Sequence, residues 1–386
     1  MRTEHDLIQL LDDEPPTPSA VDVRGAIATG RRRRAIRNAG FAGASVTALA
    51  VAGVVAVSSN LFVPGPAPDE FAGPVPVPTA CTVQDPAGVA GSVVRGSDPT
   101  GRYLVGRTEP TAEAVLWRDG RGAVVDLPGA GRSALTGVNS SGTAVGWRFE
   151  ADGRPEPVPF VVEDGKVSPL PGSGHGLPLA INDAGTIVGD SGGHPVRWSS
   201  ATSEAVRLAL PPGAVRGSAI DVDEDGTVVG DVDWKGFVWM PDGRRFALPL
   251  PEIGGEKASM STIFGIRNGW VVGWAATTER PPSGSASVIA RQTVSMRWNV
   301  HTGETKIFPA TQLEPTAVSA EGWLVGMASG RGPVLVAGTT TLDLPLPGGA
   351  MAAADAQFSI SDDGRTITGL IVDASAARRS VIWHCN

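Results

Sequence analysis

The sequence predicts an all-β fold, a seven-bladed β-propeller, and three observations carry that expectation. A unit of about forty residues recurs seven times, each copy holds a return strand that ends on glycine, and a tryptophan recurs late in five copies. The anchoring glycines are Gly106, Gly146, Gly189, Gly230, Gly273, Gly326 and Gly369, at spacings of 40, 43, 41, 43, 53 and 43 residues. A period near forty with four short strand signals per copy describes small sheets that cannot bury both faces alone and must pack against one another.

The clearest copy is Ala180 to Trp198, AINDAGTIVGDSGGHPVRW. Ala180 and Ile181 end an apolar strand, Asn182 to Gly185 is a turn whose glycine takes a positive φ, and Thr186 to Val188 is a β-branched return strand. Gly189 follows where a side chain would crowd a neighbour, and a further strand pair reaches Trp198, whose ring fills space between sheets. VNSSGTAVG (138–146), INDAGTIVG (181–189), VDEDGTVVG (222–230) and VSAEGWLVG (318–326), with AVLW (114–117), GFVW (236–239) and SVIW (380–383), resemble the HAF family of extracellular repeats. The resemblance spans roughly residues 80–386 and implies a fold and an extracellular location more than an activity.

In chain order, residues 1–38 read as a cytoplasmic tail. Leu7, Ile8, Leu10 and Leu11 lie at helical spacing, Pro15, Pro16 and Pro18 break that helix, and a second helical stretch becomes basic toward Arg31, Arg32, Arg33, Arg34 and Arg37. Residues 39–63 are an uncharged apolar run long enough for a single transmembrane helix. The arginine cluster just before it sets the topology, with the N-terminus cytoplasmic and the C-terminal bulk outside. A cleaved secretory leader, cut near Ala50-Val51-Ala52 or Ala56-Val57-Ser58, is the rival, but some 37 preceding residues make it unusually long. Residues 64–78 hold six prolines and form an extended stalk. The propeller occupies 79–386.

Cys81 and Cys385 bracket the repeats. The last copy stops at SVIWHCN (380–386) without a fourth strand, and Thr79 to Val83 can supply it, closing the ring and setting the two cysteines side by side. A disulfide there is worth roughly 4 to 5 kcal/mol by loop entropy and requires an oxidising compartment. Leu-Pro and Pro-Gly runs, as in DLPG (126–129), SPLPG (168–172) and LPLPG (344–348), suit outer edge strands. The 53-residue spacing contains Ala275 to Val294, expected to protrude from blade 5 as a loop.

The net charge of -8 lies almost wholly outside the tail and argues against a nucleic-acid partner. Basic charge is mostly arginine amid abundant alanine, glycine and proline, as in a GC-rich, actinobacterial genome. No nucleophile elbow, phosphate loop or dinucleotide motif appears, and the five histidines have no zinc spacing, so no catalytic residue and no cofactor is expected. Asp221, Asp223 and Asp225 begin like a calcium loop, but Val229 and Val232 stand at its ninth and twelfth positions; turn chemistry is the main reading of the acids, and Asp231 and Asp233 nearby keep a weak calcium site as the alternative. Trp117, Trp198, Trp239, Trp298 and Trp383 share one repeat position and read as packing; the irregular Trp147, Trp234, Trp270, Trp274 and Trp323 are the better candidates for ligand contact, with core or inter-blade packing the leading alternative for them too.

These readings combine into a membrane-anchored, non-catalytic binding or scaffolding propeller, monomeric, displayed outside the cell to an unknown protein or glycan. Two rivals stand. One is a transmembrane sensor, broadly similar to anti-sigma regulators, whose tail binds a cytoplasmic partner; the other is a propeller lyase or hydrolase using carboxylates at the channel mouth.

Overall fold

The computed structural model describes residues 75–386 apart from 110, 151–155, 173–175, 280–288, 310–311 and 354–355. The chain divides into two compact units, Met1–Glu70 and Phe71–Asn386, and every described residue belongs to the second. The tail, Arg31 to Arg34, Arg37, the apolar run and the stalk up to residue 74 lie outside the described residues. Among the described residues no helix is long and apolar enough to cross a membrane.

Among the described residues seven antiparallel blade sheets follow one another along the chain, six of them four-stranded meanders and the seventh completed from both ends of the domain, with a two-stranded hairpin of Glu252–Ile253 and Glu256–Lys257 between blades 4 and 5. Blade 1 is Ser92–Ser97, Tyr103–Thr108, Ala114–Arg118 and Arg121–Val124, and blades 2 to 6 repeat this plan over 130–169, 177–207, 217–247, 260–309 and 314–343. The first strand of each is innermost, because residues from all seven first strands line one common cavity.

The anchor glycines have one cause. In blades 1 to 6 the inner strand carries a β-bulge, between Val94 and Gly96, Leu135 and Gly137, Pro178 and Ala180, Ala219 and Asp221, Ile263 and Gly265, and Pro315 and Ala317. Each anchor glycine pairs with the residue that opens the bulge, as Gly189 does with Pro178. There the kinked strand swings a carbonyl over the glycine, and a Cβ on Gly106, Gly189 or Gly230 would lie 1.9–2.0 Å from the oxygen of Val93, Leu177 or Ser218. Only glycine fits beneath such a bulge. Gly369 differs because the inner strand of blade 7 is split into Met351–Ala352 and Ser359–Ile360, and the Phe358 ring takes the space.

The repeated tryptophans are buried, and four use their indole N–H to tie blades together. Trp198, Trp239, Trp298 and Trp383 donate to the carbonyls of Pro171, Ala209, Pro249 and Pro345, at 2.7–3.1 Å, each on the segment leaving the preceding blade. The Leu-Pro runs therefore end an edge strand and also offer the next blade an acceptor. Blade 1 follows the closing strand Cys81–Gln84, which is not followed by such a run, and the buried Trp117 Nε1 has no acceptor among the described residues.

Closure is as expected from the sequence. Cys81–Gln84 pairs with Arg378–Cys385 in register Cys81 to Cys385, the pair is a disulfide, and Thr79 and Asn386 extend the ladder through backbone bonds of 2.8 and 3.0 Å. The insertion in blade 5 is a correction. Its described parts are not loop: Trp270–Glu279 and Ile289–Asn299 stay paired to Glu279 opposite Ile289, so the sheet extends as a β-ribbon carried by threonine- and valine-rich sequence.

Candidate functional site

A cavity of about 480 Å³ lies at the centre of the ring, within the range of roughly 300–1,000 Å³ typical of small-ligand sites. Its wall is set by the bulges, which leave one residue of each inner strand unpaired and turned inward: Arg95, Thr136, Leu179, Ile220, Phe264 and Thr316, with Gln357 in the bulge-free blade 7. Trp147 and Arg107 also line it, both directly after an anchor glycine and so toward the end of the ring where the second and third strands turn.

The opposite end carries the turns between first and second strands. There Asp98, Asn139, Asn182, Asp223, Ser319 and Ser361 open the turns of six blades, each accepting a backbone N–H with its side chain. Asn139 and Asn182 also reach the next blade, donating through Nδ2 to the carbonyls of Asn182 and Asp223 at 3.2 and 2.9 Å. Blade 5 places Arg267 where the others have a small polar residue, and its tighter Asn268-Gly269 turn is capped instead by blade 4, Asp223 accepting from the N–H groups of both.

Arg267 turns inward from this end. It pairs with Asp362 of blade 7 at 2.7 Å and Glu224 of blade 4 at 3.2 Å, and lines both the channel and a second cleft of about 320 Å³ with Asp223, Asp225 and His301. The guanidinium thus forms a floor to the channel. Burial alone would lower its pKa, but Asp362, Asp221 and Glu224 outweigh that and leave it raised. Repeat comparison held the signal for Arg267, an arginine at a capping position, but not the partners that its reach would select.

The three acids of the weak calcium candidate do not form one cluster among the described residues. Asp221 Oδ1 accepts from Val222 at 2.8 Å and Oδ2 from Ile266 of blade 5 at 2.8 Å, so the carboxylate staples two blades at the bulge. Burial pushes it up to about 6, against those bonds and Arg267. Asp223 and Asp225 instead have His301 as a third neighbour, their ligand atoms all within 4.8 Å of one another. Both Asp223 oxygens accept backbone N–H groups, and Asp225 accepts from Thr227 at 2.8 Å, which is turn chemistry.

The five irregular tryptophans separate. Trp147 lines the channel, its ring edge-on to Phe149 at 5.4 Å. Trp234, 57% exposed, occupies a two-residue turn with Asp233 and carries Arg216 over its face at 4.7 Å. Trp274 is half-buried and absent from the channel wall. Trp270 and Trp323 lie under the turns of the following blades, against Gly322 and Gly364, as Tyr103 lies under Gly142. Those turn glycines make room for an aromatic ring, and Arg297 covers the other face of Trp270 at 4.1 Å.

No protein-family model matches the chain, and no curated protein sequence matches it. Solved structures do. A streptogramin B lyase aligns over 79% of this chain and 98% of its own, with TM-score 0.50 and 12% identity. The extracellular domain of a hybrid two-component system protein from B. thetaiotaomicron aligns over 78% of this chain and 39% of its own, at TM-score 0.49 and 10% identity. The β-propeller domain of the Trilobed protease from Pyrococcus furiosus covers 76% and 95%, at TM-score 0.47 and 12% identity. At such identities the likeness is one of fold, the seven-bladed propeller, and does not reach chemistry.

Proposed function

We propose that this chain is a non-catalytic binding or scaffolding propeller, with the channel mouth at Trp147 as its recognition site, presented outside the cell to a protein or glycan. The observation that carries the reading is the cavity of about 480 Å³ to which all seven blades contribute, with a tryptophan and three arginines in its wall. The carboxylate of the wall nearest to a catalytic base, Asp221, is engaged at both oxygens by backbone N–H groups, which favours binding over acid–base chemistry. The disulfide fits an oxidising compartment, and the apolar run at 39–63 behind Arg31 to Arg37 supplies an anchor. A HAF-type repeat protein of actinobacterial origin matches this combination.

The test is an array screen of the full chain in lipid nanodiscs against glycans and surface proteins, with Trp147→Ala in parallel. A ligand whose affinity falls at least tenfold in the variant supports the reading. A ligand bound equally well by both proteins places recognition elsewhere and defeats it.

A further inference from the structure

The bulge residues that face the channel are sorted by chemistry around the ring. Blades 3, 4 and 5 contribute Leu179, Ile220 and Phe264, whereas blades 6, 7, 1 and 2 contribute Thr316, Gln357, Arg95 and Thr136. Among these bulge residues one side is apolar and the facing side polar, an arrangement that neither water nor a purely polar solute satisfies.

Most polar groups of the wall are committed to the protein. Thr136 Oγ1 donates to the carbonyl of Pro178 at 2.7 Å and Thr316 Oγ1 accepts from the Phe358 N–H at 3.0 Å. Asp98 accepts from the N–H groups of Thr100 and Tyr103, Asp221 from those of Val222 and Ile266, and Arg267 holds Asp362 and Glu224. Arg107 is different. Its Nη2 meets Glu109 at 3.3 Å, but its buried Nε has no acceptor among the described residues. A buried donor without an acceptor is unfavourable, and a guanidinium edge matches a planar or tetrahedral oxyanion. Arg95 stands beside it, 3.9 Å from the same Glu109 oxygen.

We propose that the group entering the channel is a small amphipathic anion, its acid group taken by Arg107 and Arg95 and its apolar body laid against Leu179, Ile220 and Phe264. The proposal rests on the channel being the recognition site. It names the chemistry that the site selects.

Three probes with one apolar body separate the contributions: naphthalene-2-sulfonate, the neutral naphthalene-2-sulfonamide and the cationic 2-naphthylmethylammonium. They are titrated calorimetrically into the full chain in nanodiscs, with empty nanodiscs as blank, beside inorganic sulfate. The sulfonate is expected to bind at least tenfold tighter than the sulfonamide and the cation, and sulfate not measurably. Arg107→Gln should narrow the gap between sulfonate and sulfonamide to under threefold, and Leu179→Trp, which fills the channel, should abolish both, with circular dichroism confirming that each variant is folded. Equal binding of all three probes, or a sulfonate affinity indifferent to both variants, overturns the proposal. If instead an array ligand depends on Trp147 while the sulfonate does not bind, the channel reading stands and the amphipathic anion falls.

Discussion

Asp231 follows the anchor glycine of blade 4, the position held by Trp147 and Trp274 in blades 2 and 5. Burial pushes its carboxyl up to about 7, opposed by an N–H from Ile263 at 3.3 Å. Between the ordinary value of 3.8 and about 7, the folded protein therefore holds a proton that the unfolded chain has released. Its contribution to stability is complete below the lower value and is lost as pH rises through the upper one, and Asp221, raised to about 6, acts in the same sense. Asp231→Asn keeps the shape and removes the titration. Its Tm is expected to exceed that of the wild type at pH 8 and to converge with it near pH 4, as followed by circular dichroism. A Tm difference that does not change with pH would show that Asp231 does not titrate with folding. None of this was visible in the sequence, because an aspartate after a glycine reads the same whether its carboxylate meets water or the next blade.

A single device, the bulge opposite a glycine, accounts for the element that repeats. It explains why the glycine recurs, and why one inner-strand residue per blade faces the channel while its neighbours pack. The glycine was legible as a site of close approach, since self-comparison finds it in every copy. The bulge was not, because the extra residue has no fixed type: arginine, threonine, leucine, isoleucine, phenylalanine and threonine hold that place. Trp270 and Trp323 show the same limit. Their irregular occurrence left ligand contact and inter-blade packing both open, and what seats each ring is the turn glycine of the following blade, some fifty and forty residues onward in sequence. Gly189→Ala drives a Cβ to 2.0 Å from the Leu177 oxygen, a backbone atom that cannot step aside. It is expected to cost about 3 kcal/mol in urea unfolding. Gly348→Ala, with no atom within 4 Å of the added carbon, should change stability by no more than about 0.5 kcal/mol. Equal effects at the two sites would refute the bulge account.

At the scale of the whole ring, the closing seam, within blade 7 and at its junction with blade 1, has its own construction. The blade 7 inner strand is in two pieces, the closing strand Cys81–Gln84 is four residues long, and among the described residues Trp117 has no carbonyl like those that its counterparts in blades 3, 4, 5 and 7 bond. What pins this seam is the disulfide between Cys81 and Cys385, across a sequence separation of 304, with an ion pair from Arg379 to Asp85 alongside. Closure was legible because a missing strand at one end and a spare strand at the other are both countable in the sequence, whereas the missing acceptor for Trp117 depends on which segment precedes blade 1 in space. In the loop-entropy account, the cross-link restricts nearly the whole domain in its unfolded state and contributes about 5 kcal/mol. Cys81→Ser with Cys385→Ser is therefore expected to lower unfolding stability by about that amount. Hydrogen exchange should also quicken first in Cys81–Gln84 and Arg378–Cys385, before the paired strands of blades 3 and 4. A variant that unfolds within about 1 kcal/mol of the wild type, or that loosens evenly around the ring, would mean that strand pairing alone holds the seam shut.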